Sequence, residues 1–175
     1  MARFIVTADI HGNYNSWLTI KALINNDDSL IIAGDIFDTR YGSYADPDFR
    51  PESIMQELLV LPNNAYYVYG NCDSSSYLPD FRPELEFHAF SRKIYLHHGH
   101  GHVHMHGHED TDIIIQGHTH IFKLEKKNQK IFMNPGSLTC PQNGIYTYGI
   151  IENGSVHIAE LKTGKKLISI SYENA

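Results

Sequence analysis

Basic residues are scarce in this chain: 14 Lys plus Arg stand against 20 Asp plus Glu, a formal net charge of -6. Neutralising many phosphates needs a broad basic surface, so long nucleic acid is excluded as a partner, while a short nucleotide stays compatible. Cysteine is scarcer still. Cys72 and Cys140 lie far apart and offer no disulfide framework, which suits a reducing compartment. No apolar run reaches the length of a membrane span. Met1 to Val6 is too short for a secretory leader, and Asp9 interrupts it. A cytoplasmic protein without membrane attachment is therefore expected. No linker or internal repeat divides the sequence, and 175 residues fit one domain spanning 1–175. A homo-oligomer is compatible with all of this.

What is present is a series of short β-rich runs, each followed by turn residues. They are Phe4-Ile5-Val6, Leu30-Ile31-Ile32-Ala33, Tyr66-Tyr67-Val68-Tyr69, Ile94-Tyr95-Leu96 and Ile113-Ile114-Ile115. Continuous apolar runs of this length read as strands buried on both faces, and they are expected to form a central sheet. After Asn13, a natural cap, Trp17, Leu18, Ile20, Leu23 and Ile24 fall near helical spacing. A second helix is expected from Pro51, presenting Ile54, Met55, Leu58 and Leu59. Strand, helix, strand order implies parallel pairing. Beyond Phe122 the pattern changes to hairpins, with Asn153-Gly154 and Thr163-Gly164 as turns.

Chemistry-bearing residues sit just after the strands. Asp9 and His11 follow the first, Gly34-Asp35 and Asp38 the second, Gly70-Asn71 the third, His97, His98 and His100 the fourth, and His118 with His120 the fifth. Alone, an Asp-x-His or a Gly-Asp is more often a turn or a cap than a ligand pair. Two imidazoles at i and i+2 flanked by glycine rarely serve packing, and all five turns fall at one edge, where open α/β sheets bind ligands. Hard carboxylate oxygens with imidazole nitrogens suit divalent first-row metals. Asp9, His11, Asp35, Asn71, His98, His118 and His120 are too many ligands for one ion, which points to a pair bridged by a carboxylate, with Asp35 the natural bridge. From His97 to His108, seven of twelve residues are histidine. Beyond His98 these could equally be a solvated tract that collects metal, a storage or sensing device included.

In order, Asp9-Ile10-His11, Gly34-Asp35-Ile36-Phe37-Asp38, Gly70-Asn71-Cys72-Asp73, His98-Gly99-His100 and Gly117-His118-Thr119-His120 resemble the signature of the calcineurin-like metallophosphoesterase superfamily. Asn134-Pro135-Gly136-Ser137 resembles the segment that follows. Length, and cysteine rather than histidine after Gly-Asn, make the chain most similar to the small YfcE-type phosphodiesterase branch. The resemblance implies an α/β fold, a four-layer α/β/β/α sandwich of two mixed sheets flanked by helices. It also implies two divalent ions, with Mn expected and Ni, Zn, Fe and Co also suited. Asp9, His11, Asp35 and His120 would hold one, and Asp35, Asn71, His98 and His118 the other, with Asp38 structural. The implied activity is a phosphoric diester hydrolase that attacks small phosphodiesters, nucleotide-derived ones included, with hydroxide from a bridging water of lowered pKa.

Asn71, Cys72 and Asp73 are the catalytic candidates. Asn71 can offer its carbonyl oxygen to metal and its amide to phosphate. Cys72 stands where larger relatives carry a histidine that protonates the leaving oxygen. A thiol does this less well, so slow turnover of poor leaving groups is expected unless Asp73 or a loop histidine compensates. Substrate contacts are assigned to Arg40, Asn71 and His100, with Arg40 the first choice as phosphate clamp. Tyr41, Tyr44, Tyr77 and Arg82 lie in the same loops. Between Gly99 and Asp112 an amphipathic crossover helix is usual in similar proteins. Here Val103 and Met105 alternate with histidines, so the crossover is expected to be shortened or absent. The rival functions are phosphomonoesterase, dinucleoside polyphosphate hydrolase and a non-catalytic scaffold like the retromer-type branch. The complete ligand set argues against the last.

Overall fold

A computed structural model of the chain describes residues 2–101 and 110–172. Asn13 caps the first helix, α1 (Tyr14–Leu23), by accepting the Ser16 N–H at 2.9 Å, and Pro51 opens the second, α2 (Pro51–Leu59). Both begin at the expected residues because local cap chemistry fixes a helix start.

The five apolar runs are strands, but they do not share one sheet. Strands β1 (Phe4–Thr7), β2 (Ser29–Ala33) and β3 (Ala65–Val68) pair in parallel. The antiparallel strands β9 (Thr147–Glu152), β10 (Ser155–Glu160) and β11 (Lys166–Ser171) extend this sheet in the order β11-β10-β9-β1-β2-β3. The second sheet runs β4-β5-β6-β8-β7, where β5 (Arg92–His97), β6 (Ile113–Ile115) and β8 (Lys130–Asn134) are parallel. The antiparallel strands β4 (Glu84–Ala89) and β7 (Lys123–Lys127) form its two edges. The single central sheet expected from the runs is thus corrected to two. A burial period of two residues marks a strand without saying which sheet receives it.

Alternation along the strands builds two apolar layers. Val6, Ile31, Val68, Leu96, Ile115 and Met133 meet between the sheets. Ile5, Leu30 and Ile32 point the other way, against Trp17, Ile20 and Ile54 of the helices. This is the architecture of two mixed sheets that the resemblance implies, with both helices of the described residues on the first sheet. The crossover from β5 to β6 is helix-free at Gly99–Gly101 and Asp110–Asp112. Its middle, with His102, Val103, His104, Met105, His106 and His108, lies outside the described residues. The turns after β1, β2, β3, β5 and β6 all leave carboxyl ends of parallel strands, and so gather at one rim. Among the described residues no helix is long and apolar enough to cross a membrane.

Candidate metal centre

The rim is built from strained backbone. Asp9, His11, Asp35, Asp38, His118 and His120 all have φ between 49° and 71°, a left-handed region that non-glycine residues occupy at a cost of about 1–3 kcal/mol each. Backbone bonds hold the turns against one another: Asp9 N–H donates to Gly34 O at 3.0 Å, His11 N–H to Asp35 O at 2.9 Å and Gly117 N–H to His98 O at 3.0 Å. Glycines allow the close approach. A Cβ on Gly70 would stand 2.1 Å from Asp35 Oδ1, and one on Gly34 would stand 2.5 Å from His98 Nδ1.

Within this frame donor atoms converge in three groups, Asp9 with His11 and His120, Asp9 with Asp35 and His98, and, at the Asp38 side of His11, His11 with Asp38 and Cys72; the first two form the cup. In the first, His120 Nε2 lies 3.3 Å from Asp9 Oδ1 and 3.2 Å from His11 Nε2. In the second, His98 Nε2 is 3.2 Å from both Asp35 Oδ2 and Asn71 Oδ1. Asp35 Oδ2 is also 4.0 Å from His11 Nε2, so Asp35, like Asp9, faces both of these groups. His118 is exposed; its ring meets that of His98 edge-on at 5.1 Å, and its N–H donates to Asp9 Oδ2 at 3.1 Å. Six of the seven expected ligands therefore converge closely, with His118 at the margin.

The outer nitrogens set the ring tautomers. His98 Nδ1 faces Ala33 O at 2.8 Å, His120 Nδ1 faces Cys140 O at 2.9 Å, and His11 Nδ1 faces Asp38 Oδ2 at 3.2 Å. An N–H on each outer nitrogen satisfies that acceptor and leaves the Nε2 lone pair aimed inward at carboxylate and amide oxygens. Lone pairs facing lone pairs call for a cation. Without one, protons are drawn in: the hydrogen bond with Asp9 lifts the His120 pKa, and Asp35 lifts that of His98 although burial opposes the charge. Burial likewise opposes ionisation of Asp35, yet His98, the Cys72 N–H and His11 overcome it and hold that carboxyl at about 2. With metal bonds of about 2.1 Å, neighbouring ligand atoms stand roughly 3 Å apart, so the donor set fits divalent ions.

The remaining candidates are placed unevenly. Asn71 reaches the cup with its oxygen, while its Nδ2 donates to Cys72 Sγ at 3.2 Å. Burial first, then the Asp35, Asp38 and Asp73 carboxylates, push the Cys72 thiol well up and keep it protonated. Asp73, expected beside it as a proton donor, is turned inward instead. It is fully buried and accepts the N–H groups of Ile36, Phe37, Asp38 and Gly70 at 2.8–3.2 Å, so it pins the loops beneath the cup. His100 packs beside His98 at 5.4 Å between ring centres, and burial and His98 lower its pKa. His97 packs against Tyr95, the rings tilted at 35°, instead of entering the cup, as alternation along β5 requires. Arg40 is exposed, and its guanidinium makes no hydrogen bond or ion pair among the described residues. Tyr77 packs on Phe37 at 4.8 Å and supports the loop, whereas Tyr41 and Tyr44 stay exposed.

The segment Asn134-Pro135-Gly136-Ser137, recognised in the sequence without a role for its residues, and Thr139 beyond it position the ligands. Ser137 Oγ donates to Asp9 O at 2.8 Å, and Thr139 Oγ1 donates to Ile10 O at 2.8 Å. Asn134 Nδ2 donates to Gly117 O at 2.7 Å. Their signal was a polar segment, Asn134 to Cys140, leaving the parallel strand β8 at the same rim.

A model of the calcineurin-like phosphoesterase superfamily domain matches residues 2–155 of the chain. The phosphodiesterase YfcE of Escherichia coli (strain K12) is 24% identical over 171 residues, 92% of this chain and 93% of that protein. A solved structure of YfcE, described as a phosphoesterase from E. coli, superposes with a TM-score of 0.79 at 21% identity, covering 97% of this chain and 98% of the other. Vps29 from Chaetomium thermophilum superposes with a TM-score of 0.70 at 15% identity, covering 99% and 97% of the two chains.

Proposed function

Since the chain belongs to the calcineurin-like phosphoesterase superfamily, we propose that it is a metal-dependent phosphodiesterase acting on small phosphodiesters, nucleotide-derived ones included, at a two-ion site. The observation that carries this reading is the inward convergence of the His11, His98 and His120 lone pairs on the Asp9 and Asp35 carboxylates. Asp9, His11, Asp35 and His120 would hold one ion, and Asp35, Asn71, His98 and His118 the other. Mn is the ion we expect, with Ni, Zn, Fe and Co also suited to mixed oxygen and nitrogen donors. When bound, such ions neutralise phosphate oxygens and supply hydroxide near neutral pH.

The chain's own residues do the rest. Asp38 and the Ala33 and Cys140 carbonyls fix the imidazole tautomers, Asn71 can donate its amide to a phosphate oxygen, and Arg40 has an exposed guanidinium, unpaired among the described residues, to clamp one. His100 is the further substrate contact in this reading. Cys72 is a weak acid, so the enzyme would favour good leaving groups. Two free cysteines accord with a cytoplasmic setting, and the substrate would be a small ester, not long nucleic acid or a membrane.

The test is hydrolysis of bis(p-nitrophenyl) phosphate with and without added Mn, run beside Asp35→Asn and His118→Ala. Metal-dependent turnover lost in Asp35→Asn is expected; turnover that ignores metal, or survives Asp35→Asn, contradicts the reading. Faster cleavage of p-nitrophenyl phosphate would favour a monoesterase. The likeness to Vps29 supports a second reading, a non-catalytic scaffold, which predicts no turnover in metal-loaded protein.

A further inference from the structure

A cavity of about 220 Å³ opens beside His11, between the turn after β1 and the segment that follows β2. His11, Asn13, Asp38, Asp46, Phe49 and Cys140 are among its walls, and none of its lining residues is lysine or arginine. At about 30 Å³ per water, it has space for roughly seven heavy atoms.

The cavity is built, not incidental. The Phe49 ring lies so close over Gly12 and Gly42 that a Cβ on either would stand 2.4 or 2.1 Å from it. Tyr14 N–H donates to Asp48 O and Arg50 N–H donates to Gly12 O, both at 2.8 Å, which stitches the segment to the turn that carries His11. Asp46 holds a fixed corner. Its N–H reaches Ser43 O at 3.0 Å, and its Oδ1 accepts the Asp48 N–H at 2.9 Å. Its Oδ2 has no partner among the described residues and, because Asp46 is exposed, stands at the open rim of the cavity. Asp38, by contrast, has both oxygens engaged, by His11 Nδ1 and by the Tyr41 N–H.

A hollow with a carboxylate at its open rim, the edge of a buried aromatic ring as one wall and no lysine or arginine in its lining disfavours a second anionic group and suits a compact cation. We propose that this cavity seats the alcohol substituent of the phosphodiester, and that Asp46 and Phe49 select a small cationic one of the choline or ethanolamine kind. The proposal rests on the phosphodiesterase reading only for where the phosphate sits, because His11 both lines the cavity and faces the metal cup.

The test compares p-nitrophenyl phosphocholine with p-nitrophenyl 3,3-dimethylbutyl phosphate, which replaces the quaternary nitrogen by carbon at nearly equal shape. In Mn-loaded protein the choline ester should have a kcat/KM at least about tenfold higher, and in Asp46→Asn, which keeps the acceptor for Asp48, the ratio should fall to about twofold or less. Equal kcat/KM values, or a ratio that Asp46→Asn leaves unchanged, overturn the proposal. Calorimetric binding of phosphocholine and of 3,3-dimethylbutyl phosphate decides the matter independently of turnover. Tighter phosphocholine binding that is lost in Asp46→Asn upholds the cavity even if no ester is cleaved, a result that would sink the phosphodiesterase reading alone. Equal dissociation constants overturn the cavity assignment even if turnover is brisk.

Discussion

His11 Nε2 stands 3.2 Å from His120 Nε2, while the opposite nitrogen of each ring faces an oxygen acceptor, Asp38 Oδ2 for His11 and Cys140 O for His120. Two imidazole lone pairs thus point at each other beside the buried Asp9 carboxylate. A divalent ion resolves that repulsion and a proton does so only in part, so ligands and cation form one electrostatic unit.

Metal loading should therefore stabilise the fold and compete with protons. Stability contributed by the raised His98 and His120 pKa values is fully present in metal-free protein below the ordinary histidine value of 6.5 and is lost as pH rises through the folded values. Mn should accordingly raise the melting temperature more at pH 8 than at pH 6, as thermal unfolding with and without chelator will show. A larger metal effect at pH 6 would contradict the assignment.

Asp38 touches His11 on the side away from the cup. Removing the carboxylate in Asp38→Ala frees the His11 ring to turn and should weaken metal binding by about 10–100-fold with the fold intact. Titration calorimetry with Mn, beside an unchanged far-ultraviolet dichroism spectrum, measures this.

Cys72 stands next to Asn71 with its thiol held protonated by burial and three carboxylates, so it is a poor proton donor near neutrality. Cys72→His should accelerate esters with poor alkyl leaving groups by about tenfold or more, and change nitrophenyl esters little. Rates plotted against leaving-group pKa should flatten in the variant; parallel lines would place position 72 away from the leaving oxygen.

Glu57 joins the two helices by accepting Trp17 Nε1 and Lys21 Nζ, each at 2.7 Å, together with the Tyr14 hydroxyl. The Lys21 bond first, then Tyr14 and Trp17, draw its carboxyl down to about 2. A depressed folded pKa contributes stability that is present above the ordinary 4.5 and disappears as pH falls toward 2. Glu57→Gln should cost about 1–2 kcal/mol at pH 7, and the gap to the parent should close between pH 4.5 and 2. Urea midpoints at several pH values test the sign.

Much of this was legible in the sequence because the informative residues act locally. Asn13 and Pro51 cap their own helices, and each ligand turn follows its own strand. What was not legible depends on partners distant in the chain. The alternation of β5 could be read, yet only its place in the second sheet turns His98 toward Asp35 and His97 toward Tyr95. Asp73 looked like chemistry because it follows Cys72; three amides from the loop after β2 and one from its own turn make it structural. Strand β4, Glu84-Leu85-Glu86-Phe87-His88-Ala89, alternates polar and apolar residues and lacks the continuous run that marked the buried strands. The cavity under Phe49 depends on Gly12 and Gly42 meeting one ring, which no spacing rule displays.

The most direct measurement is anomalous diffraction at the Mn edge from Mn-loaded crystals. The account predicts two peaks per chain. One should lie about 2.0–2.3 Å from donor atoms of Asp9, His11 and His120, the other equally close to His98, Asn71 and His118, with Asp35 shared. An empty cup, or Mn bound only elsewhere on the chain, would contradict it.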